Sequence, residues 1–262
     1  MRRQFYRKKT WRMFVWMIIK VVGLECIHQF DANGEILFQG QSEKISLTFS
    51  AAKRKMASIY GAVGETFYCR CPFLGNAVVM DEKCSARYEL GSYFKVQKIE
   101  FEHVLTASLI KKKLLAKQMR RIALSKCLKK NRKCLKQSSS LFKFLEGDLH
   151  NIRPVIGQIN RIRGAKKMAE ISHMEGPGCR FKVRGQVFEP SSEVKGDTAR
   201  IHLYMNEKYR QLELLDESSV FRFLKWHVHD PVDATEIFVN AKVAELQGDS
   251  NFWLSRKTKK PF

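Results

Sequence analysis

The chain has 262 residues, 44% of them apolar, which is enough to build a core and excludes neither one large domain nor two small ones. Its formal charge of +22, from 48 Lys and Arg against 26 Asp and Glu, points to a polyanionic partner such as nucleic acid or an anionic membrane surface. Charge alone says nothing about chemistry.

Residues 1–25 join a cationic head to an apolar run, Met13 to Ile19 and, after Lys20, Val21 to Leu24, which predicts a secretory signal segment. The run falls below the roughly 18 apolar residues that a spanning helix needs, so stable membrane insertion is not expected. Leu24-Glu25-Cys26 is similar to a lipoprotein processing site with Glu in place of the usual small residue, which leaves a lipid anchor at Cys26 as a minor alternative. Removing residues 1–25 would take away seven basic residues and one acid, leaving 41 against 25, or +16, so the basic character belongs to the mature domain. Of seven cysteines, setting Cys26 aside leaves Cys69, Cys71, Cys84, Cys127, Cys134 and Cys179, an even number that suits an oxidising compartment and three disulfides. Zinc is the weaker reading, because Cys69 and Cys71 lack the usual spacer and Cys127 and Cys134 have no neighbouring His.

A polar lead at 26–47 precedes a helix predicted from Ala51 to Tyr60, with Ser50 as its N-cap. The Gly75-Asn76 turn and the apolar run Ala77 to Met80 follow. Alternation through Phe94, Val96, Ile99 and Phe101 predicts a half-buried strand that delivers Glu102 and His103 at its end. From Ser108 to Lys136 there are twelve Lys or Arg and no acid, with Ile110, Leu114, Met119, Ile122 and Leu128 at approximate helical spacing. Such a run repels itself unless a polyanion neutralises it, which marks Lys111, Lys112, Arg120, Arg121, Lys129 and Lys130 as candidate phosphate-binding residues. Beyond a Ser-rich linker, the stretch to Gly164 reads as two helical segments. A strand-like segment is expected at Phe181 to Phe188, and helices around Thr198 to Tyr209 and Ser219 to His229. His150, His173, His202, His227 and His229 lack the spacing of a metal cluster and read as structural or solvent-facing; Trp226, Phe252 and Trp253 read as core packing.

Two short stretches carry chemistry. A hard divalent cation such as Mg²⁺ needs oxygen ligands, and Glu102 from one element and Asn151 in Asp148-Leu149-His150-Asn151 can supply them. His103 could then stand beside the metal without binding it and take a proton from the attacking water.

The motifs "FSAAK" at 49–53, "TFYCRC" at 66–71, "EFEHVLTA" at 100–107, "DLHN" at 148–151 and "QGDSN" at 247–251 occur in the order found in the endonuclease I family of secreted and periplasmic nucleases. The chain resembles that family over roughly residues 48–256. The resemblance implies an α+β fold, mixed helices and short antiparallel strands around a ββα-metal (His-Me finger) motif, as a single domain over 48–262. It implies cleavage of DNA, and often RNA, with little sequence preference and with 5′-phosphate ends; separately from the resemblance, a monomer is expected. By similarity His103 is the general base, Glu102 and Asn151 ligate the metal, and Arg132 steadies the scissile phosphate. Leu105-Thr106 and Arg161-Ile162 depart from the family pattern, and Ile237 and Thr258 stand where members often have cysteines. The remaining six cysteines are then expected to include a Cys127 to Cys134 bond around Arg132, with the pairing of Cys69, Cys71, Cys84 and Cys179 open. The alternative is a catalytically weak nucleic-acid-binding relative, against which the joint presence of Glu102, His103 and Asn151 argues. A membrane-surface protein would leave both motifs without a purpose.

Overall fold

A computed structural model describes residues 47–79, 84, 98–119, 140–172 and 179–256, together with the strand pair at 29–30 and 36–37. The chain divides into two units, residues 1–44 and 45–262. In the first, β1 (Gln29–Phe30) and β2 (Ile36–Leu37) pair antiparallel, so the polar lead contains a hairpin. The signal segment at 1–25 and Cys26 lie outside the described residues.

The second unit opens with α1 (Phe49–Val63), which is longer than the predicted helix. Its N-cap is Thr48 and not Ser50: Thr48 is extended, and its hydroxyl accepts from the Ala51 amide at 3.2 Å. Ala52, Met56, Ile59 and Tyr60 form the buried stripe of α1, which ends at Gly64 in the left-handed region. A short hairpin follows, β3 (Phe73–Leu74) and β4 (Ala77–Val78), turned at Gly75-Asn76 as expected.

The centre is the antiparallel pair β5 (Ile99–His103) and β6 (Ile152–Ile156), in register from Ile99 opposite Ile156 to His103 opposite Ile152. The predicted strand therefore ends where expected, whereas Phe94 and Val96 lie outside the described residues. β6 was not legible as a strand: its five residues are all buried, so they show no alternation, and Pro154 sits in the middle. Pro154 is tolerated because its carbonyl accepts from the Phe67 amide at 2.8 Å, on the side away from β5. In an antiparallel strand the N–H of a residue points to the same side as its carbonyl, so the ladder with β5 stays whole.

α2 (Ala107–Met119) buries Ile110 and Leu114 and is followed, after residues not described, by α3 (Ser140–Gly147), which buries Phe142 and Leu145. α4 (Gly157–Arg163) packs on both β5 and β6 and stops at Gly164, as the sequence predicts. A small sheet combines β7 (Lys167–Met168), β8 (Lys182–Arg184) and β9 (Val187–Glu189) in the order β7-β9-β8, so the segment read as one strand is a hairpin closed at Gly185. α5 (Lys195–Lys208) buries every residue from Gly196 to Met205. Helix α6 (Glu217–His229) packs on it, and α7 (Ala234–Gln247) is an element that the sequence pattern did not separate. Fully buried Arg200 of α5 ties α7 down, donating from Nε to Glu236 at 2.8 Å. Trp226 and Trp253 are buried and Phe252 packs on the same core, as expected. The architecture is α+β.

Disulfides Cys69–Cys179 and Cys71–Cys84 resolve the pairing that the sequence left open. Cys127 and Cys134 lie outside the described residues. No helix among the described residues is long and apolar enough to cross a membrane.

Candidate active site

Side chains alternate along a strand, so β5 presents Glu102 to one face and His103 to the other. Both are buried. His103 is held on two sides. Its ring stacks on Phe49, the first residue of α1, with centroids 4.4 Å apart, and its Nε2 lies 2.8 Å from the Glu146 carbonyl oxygen at the end of α3. A carbonyl can only accept, so Nε2 carries the proton and Nδ1 is the basic nitrogen.

Glu102 lies among groups that hold only half of its carboxylate. The Tyr68 hydroxyl donates to Oε1 at 2.5 Å, while Oε2 has no hydrogen-bond partner among the described residues. Burial raises the Glu102 pKa, and the Arg163 guanidinium together with the Tyr68 bond opposes that rise. Arg163 reaches this point from the last turn of α4, where it also donates to the Val104 carbonyl. Burial and the neighbouring Glu102 charge push the Tyr68 phenol well up, so it acts as a donor.

Asn151 is brought beside the end of β5 by the ladder: the Val104 amide donates to the Asn151 carbonyl at 2.9 Å. Its side chain clasps the Leu105 backbone, accepting at Oδ1 from the amide at 2.7 Å and donating from Nδ2 to the carbonyl at 2.9 Å. An amide oxygen has two lone pairs, and this bond uses one. The preceding turn is pinned by Asp148, whose buried carboxylate caps the His150 amide and accepts from Lys208 at 2.6 Å, Tyr209 at 2.8 Å and Gln247 at 3.1 Å. Despite its burial the Asp148 pKa is lowered, chiefly by Lys208. Gln247 also accepts from the Leu149 amide at 2.7 Å, and the His150 ring bonds the Asp249 carbonyl.

A buried carboxylate oxygen without a hydrogen-bond partner among the described residues is of the hard oxygen type that suits a divalent cation. Among the described residues no group of three or more His, Cys, Asp or Glu is placed to hold a metal ion.

The profile of the family described as Endonuclease I matches residues 66–257. The chain belongs to the endonuclease I family. A periplasmic deoxyribonuclease of Aeromonas hydrophila is 26% identical over 217 residues, covering 80% of this chain and 86% of that protein. An extracellular deoxyribonuclease of the same organism is 28% identical over 220 residues, covering 80% and 89%. The protein named Endonuclease-1 from Buchnera aphidicola is 26% identical over 235 residues, covering 85% of each chain.

The five family motifs thus have physical partners: "DLHN" and "QGDSN" bond to each other through Asp148, Leu149, His150, Gln247 and Asp249. Tyr68 of "TFYCRC" and Arg163 converge on Glu102. The sequence marked Tyr68 only as a residue of a motif, without a role, and assigned no role to Arg163. Of the candidate phosphate-binding residues, Lys112 is exposed and Lys111 half-buried on α2; Arg120, Arg121, Lys129, Lys130 and Arg132 lie outside the described residues. The histidines read as structural behave so where described. His150 and His202 are buried on backbone carbonyls, and the His229 ring bonds the Lys225 carbonyl; His173 lies outside the described residues.

Proposed function

We propose that this nuclease is a divalent-metal-dependent, largely sequence-non-specific endonuclease of the ββα-metal type that hydrolyses DNA in an oxidising compartment outside the cytoplasm. One observation carries the reading: the end of β5 holds a histidine with an oriented ring and a glutamate whose buried Oε2 lacks a partner among the described residues. The disulfides and the periplasmic and extracellular relatives support the compartment.

A cation such as Mg²⁺ held by Glu102 and Asn151 would supply a Lewis acid for charge developing on the phosphate oxygens. His103 takes the proton of the attacking water at Nδ1, while the Glu146 carbonyl stabilises the imidazolium so formed through Nε2–H. Water oxygen bonds to phosphorus as the bond from phosphorus to the 3′ oxygen breaks, giving a 5′-phosphate and a 3′-oxyanion that takes a proton from a solvent water to become the 3′-hydroxyl, while His103 returns its proton to solvent. Arg132 is assigned to the scissile phosphate by resemblance alone.

The test is cleavage of supercoiled plasmid by the purified chain with Mg²⁺ and with EDTA, beside His103→Ala. Cleavage should require the metal. His103→Ala should keep metal and DNA binding, lose about 10²–10⁴-fold in turnover, and recover in part with added imidazole. Near-wild-type turnover of folded His103→Ala would remove this residue from the mechanism, and tight DNA binding without cleavage by the native chain would favour the non-catalytic relative.

A further inference from the structure

The Tyr68 hydroxyl is held in place by its ring and by both of its chain neighbours. Its ring is 1% exposed and lies between Phe67 and Phe188, with centroids at 5.0 Å and 5.1 Å. The residue before it is tied to β6 by the Phe67 amide, and the residue after it is Cys69, bonded to Cys179. The hydroxyl delivered by this frame meets Oε1 of Glu102 at 2.5 Å and leaves Oε2 alone.

A free carboxylate can approach a cation with one oxygen or with both. Ca²⁺ accepts two-oxygen chelation within its loose shell, whereas Mg²⁺ demands near-ideal octahedral geometry. We propose that Tyr68 is a positioning residue that makes Glu102 a one-oxygen ligand: the hydroxyl occupies Oε1, turns Oε2 to the cation, and so biases the site toward small octahedral ions over Ca²⁺. This rests on the reading of Glu102 as a metal ligand.

The experiment measures Mn²⁺ binding to the full oxidised chain, from the free-ion signal in electron paramagnetic resonance, with Ca²⁺ as competitor. Tyr68→Phe keeps the ring and removes only the hydroxyl. Outer partners of ligands typically account for about 10–100-fold in affinity, so Tyr68→Phe should bind Mn²⁺ weaker by that factor and discriminate less against Ca²⁺. Wild-type affinity and selectivity in folded Tyr68→Phe would reduce Tyr68 to packing and overturn the proposal. Glu102→Ala separates the two layers: unchanged Mn²⁺ affinity there overturns the metal reading itself, whereas loss in Glu102→Ala with none in Tyr68→Phe overturns only the role of the tyrosine. Should Tyr68→Phe not fold, a Mn²⁺-bound crystal structure of the wild-type chain decides: ligation through Oε2 with Tyr68 still on Oε1 is expected, and a two-oxygen chelate refutes it.

Discussion

Gly147 has no room for a methyl group, and what stands in the way is backbone. A Cβ there would lie 1.9 Å from the Leu47 carbonyl oxygen and 2.8 Å from its carbon. Real Cβ atoms do not approach other heavy atoms more closely than 3.0 Å, so 1.9 Å must become at least 3.0 Å, an opening of about 1.1 Å. Overpacking costs about 1–3 kcal/mol, and with no flexible side chain to yield, Gly147→Ala should fall in the upper part of that range. The lesion reaches the chemistry because the peptide joining residues 146 and 147 carries the carbonyl that holds His103 Nε2 at 2.8 Å. A shift of about 1 Å breaks such a bond, and misplacement of that size costs about 10²-fold in rate. The assay pairs urea denaturation with plasmid cleavage per folded molecule. Gly157→Ala is the control: its Cβ would meet the Glu100 side chain at 2.8 Å, so it displaces a carboxylate that accepts from Asn160 and Arg161 but leaves the Glu146 carbonyl alone, and it should cost some stability while turnover stays near wild type. Gly147→Ala with wild-type stability and turnover would refute the link between this close approach and the histidine.

Burial pushes the His150 imidazole down to about 4 and that of His202 down to about 3. Unfolded, both titrate near 6.5, so below about pH 6.5 the unfolded chain binds protons that the folded chain refuses. Stability is full above that pH and falls toward pH 4 by up to about 1.4 kcal/mol per unit for each histidine. Urea titrations at pH 7 and pH 5 should show the loss and His202→Phe should reduce it; parallel curves would contradict the assignment. Gln247→Ala strips a partner from both Leu149 and Asp148, and should cost about 1–3 kcal/mol and raise the Mg²⁺ needed for half-maximal cleavage; an unchanged Mg²⁺ requirement would mean that the turn holds its shape alone. Replacing Lys111 and Lys112 by Gln should lower the salt slope of DNA binding by about 1 for each phosphate that is no longer neutralised, with turnover at saturation unchanged. An unaltered slope would make α2 a solvated face.

The family membership was legible because its motifs are compressed into short stretches in a fixed order, and Glu102, His103 and Asn151 stand within two of them. Strand β5 was legible for a simpler reason, since apolar Ile99 and Phe101 alternate with Glu100 and Glu102 in the sequence, although burial does not follow that alternation: Ile99, Glu102 and His103 are buried and Glu100 and Phe101 half-buried. β6 concealed itself by being buried on both sides and by carrying Pro154, which is harmless because its nitrogen faces away from β5, an orientation that the sequence does not reveal. The support of the site was invisible for the same cause. Nothing local to Asp148 announces that Lys208, Tyr209 and Gln247 will surround its carboxylate, or that Tyr68 will claim one oxygen of Glu102. The misplaced N-cap is a smaller failure: Thr48 and Ser50 are both competent caps, and packing of Phe49 against His103 goes with the earlier start.

The clasp between the Asp148 turn and residues 247–249 has a consequence for the order in which a ribosome delivers the molecule. Synthesis runs from the N-terminus, so His103, Glu102 and Asn151 are all made long before Gln247 and Asp249. Until those late residues emerge, the Leu149 amide and the His150 ring lack the acceptors that the finished chain gives them. Nascent chains therefore carry Glu102, His103 and Asn151 before the contacts that hold the turn at Asp148 to Asn151 exist, and that turn gains them only when translation has passed residue 249.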